Sequence, residues 1–176
     1  MSAELVVKIA KAEADAGIRE TGNNDVKYGK WYGLNNQPWC AMYVSWCFHK
    51  AGLSKLVAAS GAKGFASCDA GLKWFAKKNQ LVPVGKAQAG DIAFFQFDED
   101  VAPDHVGIVS KNDGKGNLWV YEGNTSSGVA GSQSNGDGVF LKKRAYSLIQ
   151  GVARPAYGTV DAKPMAEVCD KCGKPL

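Results

Sequence analysis

The chain has 176 residues, 45% hydrophobic and 22% charged, which fits one globular domain with a sizeable core. The formal net charge of +4 is mild, so it argues against nucleic acid as a partner and would suit an anionic surface. No apolar run approaches the roughly 20 residues needed to cross a bilayer, and we predict no membrane insertion. The segment Met1-Ser2-Ala3-Glu4 lacks the features of a signal peptide, so export by the usual secretion route is not expected.

The first half of the chain predicts helices. Apolar spacing over residues 3–17 indicates an amphipathic helix. Residues 21–37 are rich in glycine, asparagine and aromatic residues, which is typical of a shaped loop. A second helix is predicted over residues 39–51. A third is predicted over residues 68–79, with Ser67 as its N-cap.

The second half predicts strands. Five short β-branched or aromatic runs are separated by glycine, asparagine and aspartate: residues 91–97, 106–111, 118–122, 139–144 and 148–153. Residues 112–117 indicate a hairpin turn, and residues 125–138 a mobile loop beside the site. Helices followed by strands predict an α+β domain with an antiparallel sheet. We assign residues 1–157 to this domain and residues 158–176 to a tail.

Five cysteines cannot all pair within one chain, and without a signal peptide the reduced state is expected. Cys40 and Cys47 lie seven residues apart on a predicted helix, about 10 Å along its axis. That separation exceeds the ~7 Å limit between the Cα atoms of a disulfide, so these two should not bridge. Cys47 and Cys68 are interpreted as small buried hydrophobic residues.

Cys40 is the candidate nucleophile. Pro38 is favoured where a helix starts, so Cys40 falls in the first helical turn, where the aligned peptide dipoles favour a thiolate. Its backbone N–H could also point at a developing oxyanion. Position alone is equally compatible with an ordinary buried cysteine. The entry formed by Pro38 and Trp39 favours the nucleophile.

His105 is the candidate general base, and only two histidines are present. The other one, His49, lies about 13 Å along the same helix from Cys40, which is too far to touch the thiol. Glu122 ends a predicted strand and Asn124 follows two residues later. Either could accept a hydrogen bond from the imidazole and fix its tautomer. The alternatives are a satisfied core histidine and ordinary polar residues at a strand end.

Four separate blocks carry a resemblance to a known family: Pro38-Trp39-Cys40-Ala41 through Ser45-Trp46-Cys47, then Gly90-Asp91-Ile92, then His105-Val106-Gly107-Ile108-Val109, then Glu122-Gly123-Asn124. Together, over residues 5–157, they resemble the CHAP family of cysteine, histidine-dependent amidohydrolases/peptidases. The resemblance implies a papain-like α+β fold, with N-terminal helices packed on an antiparallel sheet. It also implies cleavage of amide bonds in bacterial peptidoglycan, which becomes the expected partner.

The resemblance implies a role for each matched residue. Cys40 is the implied nucleophile and His105 the base, and Glu122 with Asn124 would hold the imidazole. For substrate binding we assign the residues that flank the cysteine or offer an aromatic surface: Asn36, Gln37, Trp39 and Trp119. Four aromatic residues could instead line the groove of a non-catalytic wall-binding module on the same fold: Trp31, Tyr32, Trp39 and Trp119.

Some family members hold calcium with several aspartates just ahead of the nucleophile. Here residues 26–39 contain no carboxylate, and calcium prefers six to eight oxygen ligands with some negative charge. We therefore predict no metal in that loop and no cofactor. The tail carries Cys169 and Cys172, half of a zinc knuckle. Two tails could share a zinc ion in a dimer, but we favour a remnant or disordered end on a monomer.

The resemblance, together with the absence of a signal peptide and of any long wall-binding module, predicts where the protein acts. A phage endolysin is the preferred interpretation: it would be made in the host cytoplasm and reach the wall after the membrane is breached. A bacterial wall-remodelling peptidase is the second. The motifs do not distinguish an endopeptidase from an N-acetylmuramoyl-L-alanine amidase, because the groove rather than the catalytic residues makes that choice.

Overall fold

The computed structural model describes residues 2–99, 101–128 and 130–159. Within these residues, four α-helices precede the strands: α1 (Ser2–Asp15), α2 (Lys27–Tyr32), α3 (Cys40–Lys50) and α4 (Cys68–Lys77). The strands are β1 (Leu81–Val82), β2 (Ile92–Phe95), β3 (His105–Asn112), β4 (Asn117–Thr125), β5 (Gly138–Ala145) and β6 (Ile149–Ala153). None of the helices in this part of the chain is long and apolar enough to cross a membrane.

The strands form one antiparallel sheet in the order β1-β6-β2-β3-β4-β5. The predicted α+β class with an antiparallel sheet is therefore confirmed. The predicted hairpin joins β3 to β4, and the carboxylate of Asp113 closes it by accepting the backbone N–H groups of Lys115 and Asn117. Strand β1 was missed, because a two-residue strand that pairs only with β6 has no periodicity of its own.

Helix α3 is the centre of the core. Eight of its eleven residues are buried, so it lacks the polar stripe of a surface helix. It packs against α1 on one side and against β3 and β4 on the other. The Tyr43 hydroxyl donates to the carbonyl of Ala10 in α1 at 3.1 Å. The position of Cys40 is therefore set by a helix that is held on both sides.

Residues 21–37 were predicted to be a loop, but they contain α2. Tyr28 explains why so short a helix forms there. Its ring is fully buried, stacks on Trp39 with 5.3 Å between centroids, and its hydroxyl donates to Glu13 at 2.6 Å. Burial of this aromatic ring stabilises a segment that lacks the length to be a helix alone. Helix α2 ends at Gly33, whose φ of 98° suits glycine.

The Gly90-Asp91-Ile92 block is structural. The Asp91 carboxylate is buried and accepts two hydrogen bonds from Arg154, at 3.0 and 2.8 Å, which fastens the start of β2 to the end of β6. Gly90 has a φ of 91°, and an added Cβ would lie 2.7 Å from the Cβ of Ala3. The glycine therefore allows α1 to approach the sheet. The predictions for Cys169 and Cys172 lie outside the described residues, and the 157/158 boundary stays a prediction.

Candidate active site

Cys40 is the first residue of α3 and is only 4% exposed. No side chain caps the N-terminus of this helix, so its first amides are not occupied by an N-cap oxygen. The amide of Ala41 donates a hydrogen bond toward the Cys40 sulfur. The thiol therefore lies where the positive end of the helix dipole and a backbone donor both favour its anion.

A chain of buried polar groups extends from His105 across the sheet. Its Nε2 lies 3.0 Å from Oε2 of Glu122. Arg144 donates two hydrogen bonds to the same carboxylate, from Nε to Oε1 at 2.8 Å and from Nη2 to Oε2 at 2.6 Å. Three adjacent strands supply the members, because β3, β4 and β5 carry His105, Glu122 and Arg144 respectively. Arg144 was not predicted as a site residue, because its position on a late strand gives no local signal in the sequence.

The other ring nitrogen of His105, Nδ1, is the one available to Cys40. Nδ1 is buried and has no conventional hydrogen-bond partner among the described residues. The Cys40 thiol interacts with this same ring. Because Glu122 occupies Nε2, Nδ1 is the nitrogen left for the sulfur. The structure thus brings together Cys40, His105 and Glu122, and adds Arg144 behind them.

These contacts favour an ion pair. A hydrogen bond from Cys68 is the largest influence on the thiol of Cys40, and with the imidazole of His105 it overcomes burial to hold the pKa of Cys40 well below its usual value. Burial lowers the pKa of His105, but the nearby Cys40 and Glu122 raise this pKa from 6.5 to about 9. Burial works to raise the pKa of Glu122, yet Arg144 and His105 bring it below its usual value. The charges of these four side chains therefore alternate in sign from Cys40 through His105 and Glu122 to Arg144. Such pairing offsets the cost of burying a charge.

Aromatic rings shield the imidazole. The centroids of Phe95 and Phe97 each lie 5.9 Å from that of His105. The guanidinium of Arg144 lies over the same two rings, 5.7 and 5.0 Å from their centroids. This packing keeps water from competing for the hydrogen bonds, and buried hydrogen bonds between charged groups are stronger than exposed ones.

Cys68 lies beside the proposed nucleophile. It is the first residue of α4, and its Sγ is 3.7 Å from Sγ of Cys40. Ser67 caps this helix as predicted, because its side chain accepts the amide N–H of Ala70. The hydrogen bond with Cys40 and burial together raise the pKa of Cys68 well above its usual value. The interpretation of Cys68 as a buried hydrophobic residue was therefore incomplete, since two positions 28 residues apart gave no sign of contact.

A groove of about 670 Å³ is lined by residues that lie close to Cys40 and Cys68 in the sequence. Its lining includes Pro38 and Met42, which flank Cys40 in the chain, and Ser67, which precedes Cys68. The complete lining is uncharged: Tyr32, Leu34, Gln37, Pro38, Met42, Ser60, Ala66 and Ser67. Gln37 thus lies where substrate binding was predicted. An uncharged, mainly apolar surface suits small neutral groups of a substrate.

Asn124 does not hold the imidazole as expected. Its Oδ1 accepts the backbone N–H of Trp39 at 3.0 Å, and its Nδ2 donates to Asn24 and to the carbonyl of Gly136. A bulge interrupts the β4–β5 register after Glu122, and the φ of Asn124 is 58°, so the side-chain alternation that would place both residues on one face is broken. Asn124 instead fixes the residue just before α3.

Trp39 and Trp119 do not fit the predicted substrate-binding role, whereas the role of Asn36 stays a prediction. Trp39 is fully buried against Tyr28, so it is a core residue and presents no surface to a substrate. Trp119 is 36% exposed, but it lies three residues before Glu122 on β4, about 10 Å away, and does not line the groove. Asn36 is exposed with a φ of 62°, and its Nδ2 donates to the carbonyl of Asn23, which shapes the turn before α3.

Two glycines of the matched blocks allow close packing at the site. A Cβ on Gly107 would lie 2.6 Å from Val120 and 2.8 Å from Cγ of Glu122. A Cβ on Gly123 would lie 2.6 Å from Trp39 and 2.7 Å from Tyr43. Gly107 therefore allows β3 to lie against the Glu122 side chain, and Gly123 allows α3 to rest on β4.

Residues 126–128 and 130–137 have irregular structure beside these groups. The base of this loop is held by Lys142, whose ammonium donates to the carbonyls of Ser126, Ser127 and Gly128 at 2.6, 3.2 and 3.2 Å. Farther along, the Gln133 side chain accepts from Arg144 Nη1 at 2.9 Å. Arg144 thus connects the loop to the buried hydrogen-bonded groups His105 and Glu122.

No group of three or more histidine, cysteine, aspartate or glutamate side chains is placed to hold a metal ion within the described residues. Asp25, the nearest carboxylate before the loop 26–39, is engaged by Lys30 at 2.7 Å and by Asn35 at 2.7 Å. The hydrogen bond from Lys30, with those from Asn35 and Thr21, lowers the pKa of Asp25 to about 2.

Comparison with known proteins identifies the family. Residues 31–124, more than half of the chain, match the CHAP domain, so this chain belongs to the CHAP family. CHAP domains are generally amidohydrolases or peptidases, which places the protein among hydrolases. No curated protein matches the sequence.

One solved structure that resembles this chain is the crystal structure of Ly7917 with the hydrolyzing product of MDP. The two chains are 16% identical and superpose with a TM-score of 0.50, over 87% of this chain and 62% of that one. This likeness supports the papain-like α+β fold. The present chain accounts for less than two thirds of the length of Ly7917.

Proposed function

We propose that this protein is a cysteine-dependent peptidoglycan hydrolase that cleaves amide bonds of the bacterial cell wall. The observation that carries the proposal is the connected set Cys40, His105 and Glu122, with the sulfur at a helix N-terminus beside an uncharged groove. Family membership supports hydrolysis. The likeness to Ly7917, described with a product of MDP, a peptidoglycan fragment, supports the substrate class.

In the proposed reaction, the Cys40 thiolate attacks the carbonyl carbon of the amide and a C–S bond forms. The backbone N–H of Cys40 stabilises the oxyanion. The C–N bond then breaks as His105 gives its proton to the leaving amine. Water attacks the resulting thioester, and His105 takes up a proton, so the acid is released and the thiolate–imidazolium pair is restored. Glu122 keeps the imidazolium oriented throughout.

The direct test is loss of the nucleophile. Cys40→Ala should abolish release of soluble fragments from purified peptidoglycan while leaving the circular dichroism spectrum unchanged. Cys47→Ala is the matched control, because Cys47 lies on the same helix two turns farther on and is buried in the core. Full activity of Cys40→Ala would refute the proposal.

The bond that is cut follows from mass spectrometry of the fragments. New sugar-free stem peptides identify an N-acetylmuramoyl-L-alanine amidase. New free amines within the peptide identify an endopeptidase. The uncharged lining of the groove beside Cys40 favours small neutral residues around the scissile bond in both cases.

The competing function is a wall-binding module without chemistry, which the surface-exposed Trp119 would favour. A thiol probe separates the two. Rapid labelling of Cys40 at neutral pH supports the enzyme, because a lowered thiol pKa supplies thiolate there. Labelling no faster than that of an ordinary thiol, with tight binding to intact peptidoglycan, supports the binding module.

We also propose that the protein acts as an endolysin, made in the host cytoplasm and reaching the wall after membrane breach. Expression in bacteria, followed by a membrane-permeabilising agent, tests this route. Lysis should follow the agent only when Cys40 is intact. Lysis without the agent would favour a wall-remodelling enzyme that reaches the wall by export.

A further inference from the structure

We propose that Cys68 is a resolving cysteine: when a peroxide oxidises Cys40, Cys68 captures it as a Cys40–Cys68 disulfide that switches the site off reversibly. The proposal rests on the proposed function only in taking Cys40 as the reactive thiol. It assigns to Cys68 a role in regulating that site.

The geometry places the two sulfurs in van der Waals contact. Their separation is 3.7 Å, and a disulfide bond is about 2.05 Å long, so each sulfur needs to move by less than about 1 Å. Both residues start a helix, Cys40 in α3 and Cys68 in α4. The movement that the bond needs is therefore small compared with the length of either side chain.

The two thiols also differ in the way that such a pair requires. The low-pKa thiol at the helix N-terminus supplies the thiolate that reacts with a peroxide. The groove is lined by Pro38, two residues before Cys40, and by Ser67, which precedes Cys68. Cys68 is 9% exposed and stays protonated as the second thiol. Cys47 offers a contrast, because it lies in the core and burial raises its pKa well above the usual value.

The chemistry balances with hydrogen peroxide as the oxidant. The Cys40 thiolate attacks one peroxide oxygen, the O–O bond breaks, and sulfenic acid and hydroxide form. The Cys68 sulfur then attacks the sulfenic sulfur, the S–O bond breaks, and the thiol proton leaves with the oxygen as water. Two thiols have lost two electrons to one peroxide. A dithiol reductant reverses the change by thiol–disulfide exchange.

The disulfide would have two consequences. It removes the nucleophile, so hydrolysis stops while the bond persists. It also consumes the sulfenic acid before a second peroxide can convert it to sulfinic acid, which is not reduced by thiols. The pair would therefore protect the site as well as silence it.

Peptide mapping tests the bond itself. After treatment with hydrogen peroxide and blocking of free thiols, trypsin should yield residues 31–50 joined to residues 64–73. The joined mass should be about 2 Da below the sum of the reduced peptides. Because residues 31–50 contain both Cys40 and Cys47, the Cys47→Ala variant should retain the link and Cys68→Ala should lose it. A link through Cys47, or none in the wild type, would overturn the proposal.

Recovery of the thiol tests the protective role. After prolonged peroxide treatment and then dithiothreitol, the wild type should regain most of its maleimide-reactive Cys40, relative to its own reduced sample. Cys68→Ala should regain only a small part, and Cys68→Ser serves if the alanine variant fails to fold. Equal recovery in wild type and variant would overturn the proposal. Neither measurement uses wall hydrolysis, so a failure here is distinct from failure of the proposed function.

Discussion

Glu122 is predicted to determine the charge of His105, and the chain allows a direct measurement. The pKa of His105 is raised from 6.5 to about 9, a rise of about 2.5 pH units, although burial acts in the opposite direction. Cys40 and Glu122 together must therefore supply more than this rise. If they contribute comparably, removing the charge of Glu122 should lower the midpoint by at least about one pH unit, or about 1.4 kcal/mol.

The perturbation is Glu122→Gln, which keeps the size of the side chain and removes its charge. NMR of ¹⁵N-histidine-labelled protein gives the readout, because the sequence has only two histidines. The His105 resonance should titrate near pH 9 in the wild type and at least about one unit lower in the variant. His49 is the internal control. Burial, with Lys50 and Lys63, lowers its pKa, so it should titrate below 6.5 in both proteins.

The variant has a foreseeable cost, since it leaves the Arg144 cation buried without its carboxylate. Breaking such a pair typically costs about 3–5 kcal/mol. The double variant Glu122→Gln/Arg144→Gln removes both charges and should recover part of that stability while keeping the lowered His105 midpoint. If His105 still titrates near pH 9 in folded variants, Glu122 does not stabilise the imidazolium and the reasoning is refuted.

Three further predictions concern the site and its frame. Peptidoglycan hydrolysis should decline as the pH rises through about 9, because His105 then loses the proton that the leaving amine needs; a rate that keeps rising to pH 10 would contradict this. Gly123→Ala should lower the free energy of unfolding by about 1–3 kcal/mol in urea denaturation, since the new methyl group would press against Trp39 and Tyr43. Ser67→Ala should cost about 1 kcal/mol by loss of the α4 cap, and an unchanged urea midpoint would show that the cap contributes nothing.

Local signals in the sequence were sufficient to predict several helix starts and the hairpin turn. Pro38 located the start of α3, Ser67 located the start of α4, and the polar run at 112–117 located the hairpin. Each of these features depends on the residue itself and its close neighbours. Helix α2 was not predicted, because its six residues are too few to show a periodicity and its stability comes from burial of Tyr28.

The positions of the site residues were predictable only in part. The motifs predict one site that contains Cys40, His105 and Glu122, and the structure brings these three residues together, while their roles in a reaction stay predictions. Asn124 was misjudged because nearness in sequence to Glu122 suggested a shared partner, while the bulge and the positive φ turn it toward α3. The contact between Cys40 and Cys68 is a tertiary contact between two helices, so the local sequence of neither helix predicts it.

The hydrogen bonds from Lys142 to the backbone carbonyls of residues 126–128 have a practical consequence for engineering. An ammonium that binds main-chain carbonyls does not discriminate among the side chains attached to them. Ser127 and Gly128 are exposed and are therefore the positions to randomise in a combinatorial library, provided that Lys142 is kept, whereas Ser126 packs against Gly131 and Gly136. Such a library would vary the surface offered to different wall chemistries without redesigning the scaffold.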